Sequence, residues 1–406
     1  MNQIALQEYV TSDHTLTADQ LDALLRVSKT LHLSIEPIRG TKGNYSLTPS
    51  STVGALEIDG VSILVHPKIK MSKLLSLACY AIGKFEIREE LFDYKDAEAL
   101  PDILALALTQ ASSSAFARGM LRGYRSDEEA LHTVRGRIRF DEQIRRRYGI
   151  PLPVELRFDE FTEDILANRL VKAAAVRLRR MALQSPKARR GLGWIAAILD
   201  NVSLLEFRQG RVPEVHFDRL NEHYRHVVGL ARLILLHSEF EAQHGDVRAN
   251  GFLVDMNILF QEFLTQSLRE KLAGSGITLQ VEKDAWFDDD KKVWFKPDLS
   301  CWEDSDTCSF VGDAKYKDLT GKRAENDDLY QLLAYVTALN LPGGLLIYAQ
   351  GDDKLETYSV RYADRQLEVA ALNLSGTLDD IRSRVATIAD HVETLRRKAI
   401  SAKAAA

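Results

Sequence analysis

The spacing of apolar residues changes along the chain and divides it into three regions. In the first, a capping box at Thr17-Ala18-Asp19-Gln20 predicts a short amphipathic helix that runs to about residue 31. Two β-rich runs follow at 53–58 and 61–65, and Asp59-Gly60 between them is typical of a two-residue hairpin turn. We therefore predict a small α+β module over residues 1–95.

The second region, residues 96–245, carries apolar residues mainly at helical spacing. Helices are predicted over 100–122, 159–181, 191–205 and 217–241. Arginine and lysine cluster at 135–139, 145–147, 177–180 and 187–190. These basic residues either cover solvated helix faces or form a surface that follows nucleic-acid phosphates. We predict a mainly helical linker or interaction region.

The third region, residues 246–406, mixes the two periods. The pattern predicts a helix over 252–272, strands over 277–287, 293–302 and 309–316, a helix over 327–339, strands over 345–349 and 357–362, and a last helix over 377–398. The order is α-β-β-β-α-β with further elements behind it. The whole chain is thus expected to be a multidomain protein of the α+β and α/β classes.

Composition narrows the classes of protein that fit this pattern. With 406 residues, 45% hydrophobic and 27% charged, the chain resembles a globular protein of two or three domains. Its net charge of −5 means that any contact with nucleic acid depends on local basic patches or on a partner. Three sparse cysteines (Cys79, Cys301 and Cys308), no signal-peptide pattern and no bilayer-length apolar run predict a cytoplasmic protein without a membrane segment.

The residues with the clearest chemistry lie in the third region. Asp298 follows Pro297 at the end of one predicted strand, and Asp313 and Lys315 share one face of the next strand. A hairpin between these strands brings the two carboxylates together, and carboxylate oxygens suit Mg²⁺. Lys315 can then orient or deprotonate an attacking water, or neutralise charge on a phosphate.

Two more side chains extend this pattern onto the following helix. Gln331 and Tyr335 are four residues apart, so they share a helix face. The alternative interpretation is a solvent-facing strand on which Asp313 and Lys315 simply pair. Nothing in the sequence has the spacing of a P-loop, of a zinc site or of a serine hydrolase.

The motifs resemble a known group of enzymes. Pro297-Asp298, Asp313-Ala314-Lys315 and the Gln331/Tyr335 pair are similar to the PD-(D/E)xK nuclease superfamily. The fuller run Asp313–Lys317 resembles the McrC family of McrBC-type, modification-dependent restriction systems. Further stretches similar to that family are 65–69, 134–138, 164–169, Asp255-Met256-Asn257 and Leu259-Phe260.

The resemblance implies a C-terminal restriction-endonuclease-like core with a mixed sheet, which cuts methylated double-stranded DNA with Mg²⁺. It implies that the N-terminal module docks on a hexameric McrB-like AAA+ partner. GTP is then bound by the partner and not by this chain. Docking of this chain is expected to stimulate the partner's GTP hydrolysis. The residues implied as catalytic are Asp298, Asp313, Lys315, Gln331 and Tyr335, and the implied metal ligands are Asp298, Asp313 and Glu262.

One position departs from the family pattern. The family carries an acidic residue directly after the Leu-Phe pair, where this chain has Gln261 followed by Glu262. One residue rotates a helical side chain by ~100°. Two other functions therefore stay open: a non-catalytic adaptor that activates an NTPase through a structural nuclease fold, and a stand-alone DNA repair nuclease.

Overall fold

The computed structural model describes residues 2–58, 60–69, 77–78, 80–81, 100–148, 150–181, 183–207, 212–237, 239–241, 248–352 and 354–405. Asp59 of the predicted hairpin turn and Cys79 lie outside these residues. The described parts contain no helix that is both long enough and apolar enough to cross a bilayer. They form a mixed α/β protein with several sheets, as the sequence predicts.

The N-terminal region contains two small sheets and one helix. Its elements are β1 (Asn2–Gln7), β2 (Ser12–Thr15), a helix (Ala18–Val27), β3 (Leu33–Pro37), β4 (Asn44–Pro49), β5 (Thr52–Ile58) and β6 (Val61–His66). The Thr17–Gln20 capping box is present and starts the helix, as predicted. β5 and β6 pair antiparallel as the predicted hairpin, with Ile58 opposite Val61. β1, which the pattern did not reveal, pairs parallel with β6.

The middle region is less helical than predicted. Its elements are a helix (Leu100–Phe116), β7 (Gly123–Leu131), β8 (Arg137–Ile138), a helix (Phe140–Arg147), β9 (Val154–Thr162), helices Leu166–Arg179 and Pro186–Ile198, a 3-10 turn (Glu222–Tyr224) and a helix (Arg225–His237). The prediction of helix over 159–165 is wrong because β9 pairs along its length with β7. Val154, Leu156 and Phe158 alternate at period two and form a small core.

Several arginines around this three-stranded sheet pair with carboxylates of the sheet and of the helix Phe140–Arg147. Arg139 lies 2.7 Å from Glu128, and Arg145 and Arg146 each lie 2.8 Å from Glu142. These partners favour the interpretation in which the basic clusters brace local structure. They leave less free positive charge for nucleic-acid phosphates.

The C-terminal region is built around a six-stranded mixed sheet. Its elements are β10 (Glu239–Glu241), β11 (Arg248–Asp255), a helix (Met256–Leu272), a 3-10 turn (Ala273–Ser275), β12 (Leu279–Gln280), β13 (Ala285–Trp286), β14 (Trp294–Phe295), β15 (Leu299–Trp302), β16 (Cys308–Asp318), a helix (Asn326–Ala338), β17 (Gly343–Gln350), β18 (Glu356–Val360), β19 (Arg365–Ala371) and a helix (Leu378–Ala405). The strand order is β12-β15-β16-β17-β19-β18. β16, β17 and β19 are parallel, and the other pairs are antiparallel.

Four details of this region differ from the prediction. The helix predicted over 252–272 begins only at Met256, because residues 252–255 belong to β11 and pair with β5. The predicted strands 277–287 and 293–302 are broken into the short strands β12 to β15, and Pro297 lies at one break because it cannot donate a ladder hydrogen bond. β19 was not predicted. The last helix continues to Ala405, seven residues beyond the predicted end at 398.

Helices cover both faces of the six-stranded sheet. The helices Met256–Leu272 and Leu378–Ala405 pack on one face, in the core that also contains Phe310 and Tyr316. The helix Asn326–Ala338 packs on the other face, in a core with Val311 and Tyr348. β16 therefore sends alternate side chains into two different environments.

β11 connects the C-terminal region to the N-terminal one. It pairs antiparallel with β5, and the five-stranded sheet has the order β1-β6-β5-β11-β10. The domain limits at 95/96 and 245/246 stay predictions. Gly54 has φ +132° and lies where β5 meets β11, and a Cβ atom there would lie 2.1 Å from the carbonyl oxygen of Phe252. Only glycine fits this junction without moving the backbone.

We expect Gly54→Ala to destabilise the fold by roughly 3 kcal/mol or more, because the methyl group collides with backbone and the φ angle is strained. Gly60→Ala is the matched control, since Gly60 also has positive φ, +76°, but nothing lies within 4 Å of its Cβ position. Thermal denaturation of both variants tests this. Equal melting temperatures for the two would show that the β5–β11 junction is not constrained.

A buried glutamate links the first strand to β16. Glu8 is 0% exposed, and its Oε2 accepts hydrogen bonds from the backbone N–H of Lys68 (3.0 Å) and from the hydroxyl of Tyr316 (3.5 Å). Its Oε1 is buried without a hydrogen-bond partner. Burial raises the pKa of Glu8 to about 7, against the lowering effect of the Lys68 hydrogen bond.

This pKa makes the stability depend on pH. Between the ordinary value of 4.5 and about 7 the folded chain binds more protons than the unfolded chain, so the free energy of unfolding falls as pH rises. Glu8→Gln lacks this charge, and its advantage over the wild type should grow across this window to at most ~3 kcal/mol. Melting temperatures at pH 5 and pH 8 measure it. Exposed Glu36→Gln is the control, and an equal pH dependence in both variants contradicts the prediction.

Candidate active site

The predicted site residues of β15 and β16 meet where the two strands pair. β14 ends at Phe295 and β15 begins at Leu299, so Asp298 lies between them, directly after Pro297. Leu299 pairs with Gly312, and Asp298 Oδ2 accepts a hydrogen bond of 2.8 Å from the backbone N–H of Ala314. This bond fixes the Asp298 carboxylate beside Asp313.

Asp313 and Lys315 point from β16 toward the helix Asn326–Ala338. Asp313 is 2% exposed, and its Oδ2 lies 2.5 Å from Lys315 Nζ. The contact is an ion pair by distance, but this oxygen accepts no well-aligned hydrogen bond. Lys315 Nζ donates a hydrogen bond of 2.8 Å to Gln331 Oε1. A buried carboxylate oxygen with an unfilled hydrogen-bond capacity therefore faces the site.

Gln331 and Tyr335 continue the hydrogen-bonded chain. Gln331 Nε2 lies 2.7 Å from the Tyr335 hydroxyl and donates to it. The Tyr335 ring stacks on Phe295 with 4.8 Å between centroids and 14° between planes. Burial and then the charge of Asp313 raise the pKa of Tyr335 to about 12, so it stays a neutral hydroxyl. The structure thus brings together Asp298, Asp313, Lys315, Gln331 and Tyr335.

The two carboxylates disfavour each other's charge. Burial and then the negative charge of Asp313 raise the pKa of Asp298 to about 7, while the Ala314 hydrogen bond lowers it. Two close, buried carboxylates with one lysine carry excess negative charge. Hard oxygen donors with such a charge fit a divalent cation such as Mg²⁺, which is commonly bound by one or two carboxylates plus waters and substrate oxygens.

Glu262 is close enough to a second acidic residue, Glu282, to feel its charge. Partial burial and the charge of Glu282 raise its pKa, and Gln261 Nε2 lies 3.4 Å from Glu282 Oε1. Among the described residues, no three His, Cys, Asp or Glu side chains lie close enough to hold a metal ion together. The role of Glu262 as a ligand stays a prediction, and the site described by the structure has two carboxylates.

The structure adds three residues that the sequence reasoning did not select. Asp328, 6% exposed, accepts hydrogen bonds from Lys317 Nζ (3.0 Å) and from the Tyr348 hydroxyl (2.6 Å). The sequence could have indicated Asp328, because it shares a helix face with Gln331 and Tyr335. It could also have indicated Lys317, which shares a strand face with Lys315. No sequence pattern indicated Tyr348, because its contact with Asp328 depends on the pairing of β17 with β16.

Fold and site together define a mixed α/β protein in which two carboxylates and a lysine meet beside a buried strand, with the donors for a divalent cation. Residues 47–349 match the family described as McrBC 5-methylcytosine restriction system component. The chain belongs to this family.

Individual relatives agree with this family membership. The chain is 24% identical over 305 residues to the type IV methyl-directed restriction enzyme EcoKMcrBC of Escherichia coli K12, a match that covers 71% of this chain and 88% of the relative. It also resembles a chain in a refined half-complex from a tetradecameric assembly of Thermococcus gammatolerans McrB AAA+ hexamers with bound McrC. That match has a TM-score of 0.60 and 20% identity, and it covers 95% of this chain and 100% of the other. At this identity the second likeness shows the fold alone.

Because Asp298 is buried beside the negative charge of Asp313, we expect its own charge to destabilise the folded chain. Asp298→Asn keeps the size and an acceptor for the Ala314 N–H but removes the charge. In buffer with a chelator at pH 8, above the pKa of about 7, we expect the variant to be more stable by ~1–2 kcal/mol, a few degrees in melting temperature. At pH 5 Asp298 is mostly protonated in the folded chain but ionised in the unfolded chain, so the gain should be smaller than at pH 8 and should disappear only near the ordinary pKa of 3.8.

The control for this measurement is Asp327→Asn, because Asp327 is exposed on the neighbouring helix. It should change stability by no more than ~0.5 kcal/mol at either pH. A loss of stability in Asp298→Asn at pH 8 would mean that the two carboxylates do not repel each other.

Proposed function

We propose that this chain is the Mg²⁺-dependent DNA endonuclease subunit of a modification-dependent restriction complex. Its C-terminal region then has a restriction-endonuclease-like PD-(D/E)xK core, and it hydrolyses phosphodiester bonds of methylated double-stranded DNA. The observation that carries the proposal is the convergence of Asp298, Asp313 and Lys315 on one edge of β16. Membership of the restriction-system family supports it.

The residues divide the chemistry between them. Asp298 and Asp313 would hold Mg²⁺, which when bound stabilises charge on the departing oxygen and lowers the pKa of water. Lys315 offers its ammonium to a phosphate oxygen or to the attacking water. Gln331 holds this ammonium by its hydrogen bond of 2.8 Å. Tyr335 holds Gln331 in turn, so the lysine is preorganised before DNA arrives.

The charge of the molecule favours a function in which a partner brings the DNA. The net charge is −5, and the pairing of Arg139, Arg145 and Arg146 with carboxylates leaves less free positive charge for DNA around the three-stranded sheet. We propose that a McrB-like hexameric AAA+ GTPase brings the DNA, that residues 1–95 dock on it, and that this contact stimulates its GTP hydrolysis. GTP is bound by the partner.

One observation favours a second candidate, the non-catalytic adaptor. Glu262, the residue of the helix Met256–Leu272 implied as a metal ligand, feels the charge of Glu282 and not that of the carboxylate pair. In that case the chain would activate the GTPase, and the paired carboxylates would have no catalytic use. The two candidates differ in whether Asp313 matters for DNA cleavage.

The test is cleavage of methylated plasmid by the chain with its AAA+ partner, Mg²⁺ and GTP. We expect Asp313→Ala to lower the cleavage rate by ~10³-fold or more, because it removes one of the two proposed metal-binding carboxylates, while the stimulation of GTP hydrolysis stays at the wild-type level. Exposed Asp327→Ala is the matched control and should keep both activities.

Two results would change the assignment. If wild type and Asp313→Ala both stimulate GTP hydrolysis and neither cuts, the adaptor function is correct. If the isolated chain cuts DNA at the rate of the complex, it is a stand-alone nuclease. Cleavage that survives Asp313→Ala would move the active site elsewhere.

A further inference from the structure

Lys315 lies against one oxygen of a proposed metal ligand. Its Nζ lies 2.5 Å from Asp313 Oδ2, the buried oxygen that accepts no well-aligned hydrogen bond. A divalent cation at Asp298 and Asp313 would repel this ammonium group. Binding of the cation therefore favours another partner for Lys315.

The helix Asn326–Ala338 supplies such a partner. Asp328 Oδ1 lies 3.9 Å from Lys315 Nζ, and Asp328 is 6% exposed. Gln331 already binds the same ammonium at 2.8 Å. A small movement of a flexible four-carbon side chain is enough to exchange Asp313 for Asp328.

Asp328 is also held in place before any exchange. Tyr348 donates a hydrogen bond of 2.6 Å to Oδ2, and Lys317 Nζ lies 3.0 Å from Oδ2 and 3.2 Å from Oδ1. Lys317 in turn pairs with Glu325 at 2.6 Å. The carboxylate is therefore fixed by two donors and still presents Oδ1 toward Lys315.

We infer that Asp328 is a positioning residue that receives the ammonium of Lys315 when a divalent cation binds Asp298 and Asp313. The inference rests on the proposed metal-dependent function and adds a residue to it. Asp328 then has two effects: it frees Asp313 for the cation, and it keeps Lys315 within reach of the phosphate. A purely structural Asp328, which only anchors Lys317, would have neither effect, and its loss would leave the affinity for the cation unchanged.

The test is the binding of Mn²⁺, a paramagnetic substitute for Mg²⁺, to the full chain, followed by electron paramagnetic resonance. Asp328→Asn should bind Mn²⁺ roughly 10-fold to 100-fold more weakly than the wild type, the usual effect of losing a partner of the groups around a metal. Asp327→Asn, its exposed neighbour on the helix, should bind as the wild type does.

A second pair of variants asks whether Asp328 acts through the lysine. Lys315→Met removes the competing ammonium and should bind Mn²⁺ more tightly than the wild type. In the Lys315→Met background, Asp328→Asn should then have little or no effect. An equal loss of affinity in both backgrounds would mean that Asp328 attracts the cation directly, and the inference would be wrong.

The outcomes separate this inference from the proposed function. If the wild type binds Mn²⁺ and cuts DNA but Asp328→Asn has unchanged affinity, only the inference is overturned. If the wild type binds no Mn²⁺, both are overturned. Tyr348→Phe, which removes one hydroxyl from Asp328, covers the case that Asp328→Asn fails to fold: a weaker loss of affinity in the same direction supports the inference, and wild-type affinity overturns it.

Discussion

The alternation of side chains along β16 is the constraint on which the rest of the structure depends. One face of this strand carries Asp313, Lys315 and Lys317 toward the helix Asn326–Ala338. The other face carries Phe310 and Tyr316 into the main core. A shift of one residue in the pairing of β16 would turn the charged side chains into the main core and turn Phe310 and Tyr316 toward the helix Asn326–Ala338, so the register of the sheet and the geometry of the site are fixed together.

The site keeps charges in an unfavourable arrangement. Two buried carboxylates lie side by side, and their repulsion costs stability as long as no cation is present. The structure limits this cost through Lys315, which neutralises Asp313 and is itself held by Gln331. Such an arrangement adds nothing to a merely structural sheet, whereas the proposed metal-dependent function would use both the paired carboxylates and the ammonium group.

The N-terminal and C-terminal regions are joined by backbone and by side chains. β11 completes the sheet of β5 and β6 and leads directly into the helix Met256–Leu272. Glu8 contacts Tyr316, the neighbour of Lys315 on β16. The first strands and the strand that carries Asp313 and Lys315 are therefore in direct contact. In the proposed function, this contact would give a physical route by which a partner bound to the N-terminal region influences cleavage.

The sequence by itself determined the local features: the capping box, the β5–β6 hairpin, and the face shared by Asp313 and Lys315. These depend on neighbours a few residues apart, which is what periodicity and turn chemistry report. Only the tertiary structure decided the pairing of β7 with β9, the entry of β11 into the N-terminal sheet, and the contacts of Asp328, Glu8 and Glu262. Each of these joins residues distant in sequence, and such pairings depend on the packing of the whole chain, which no local pattern encodes.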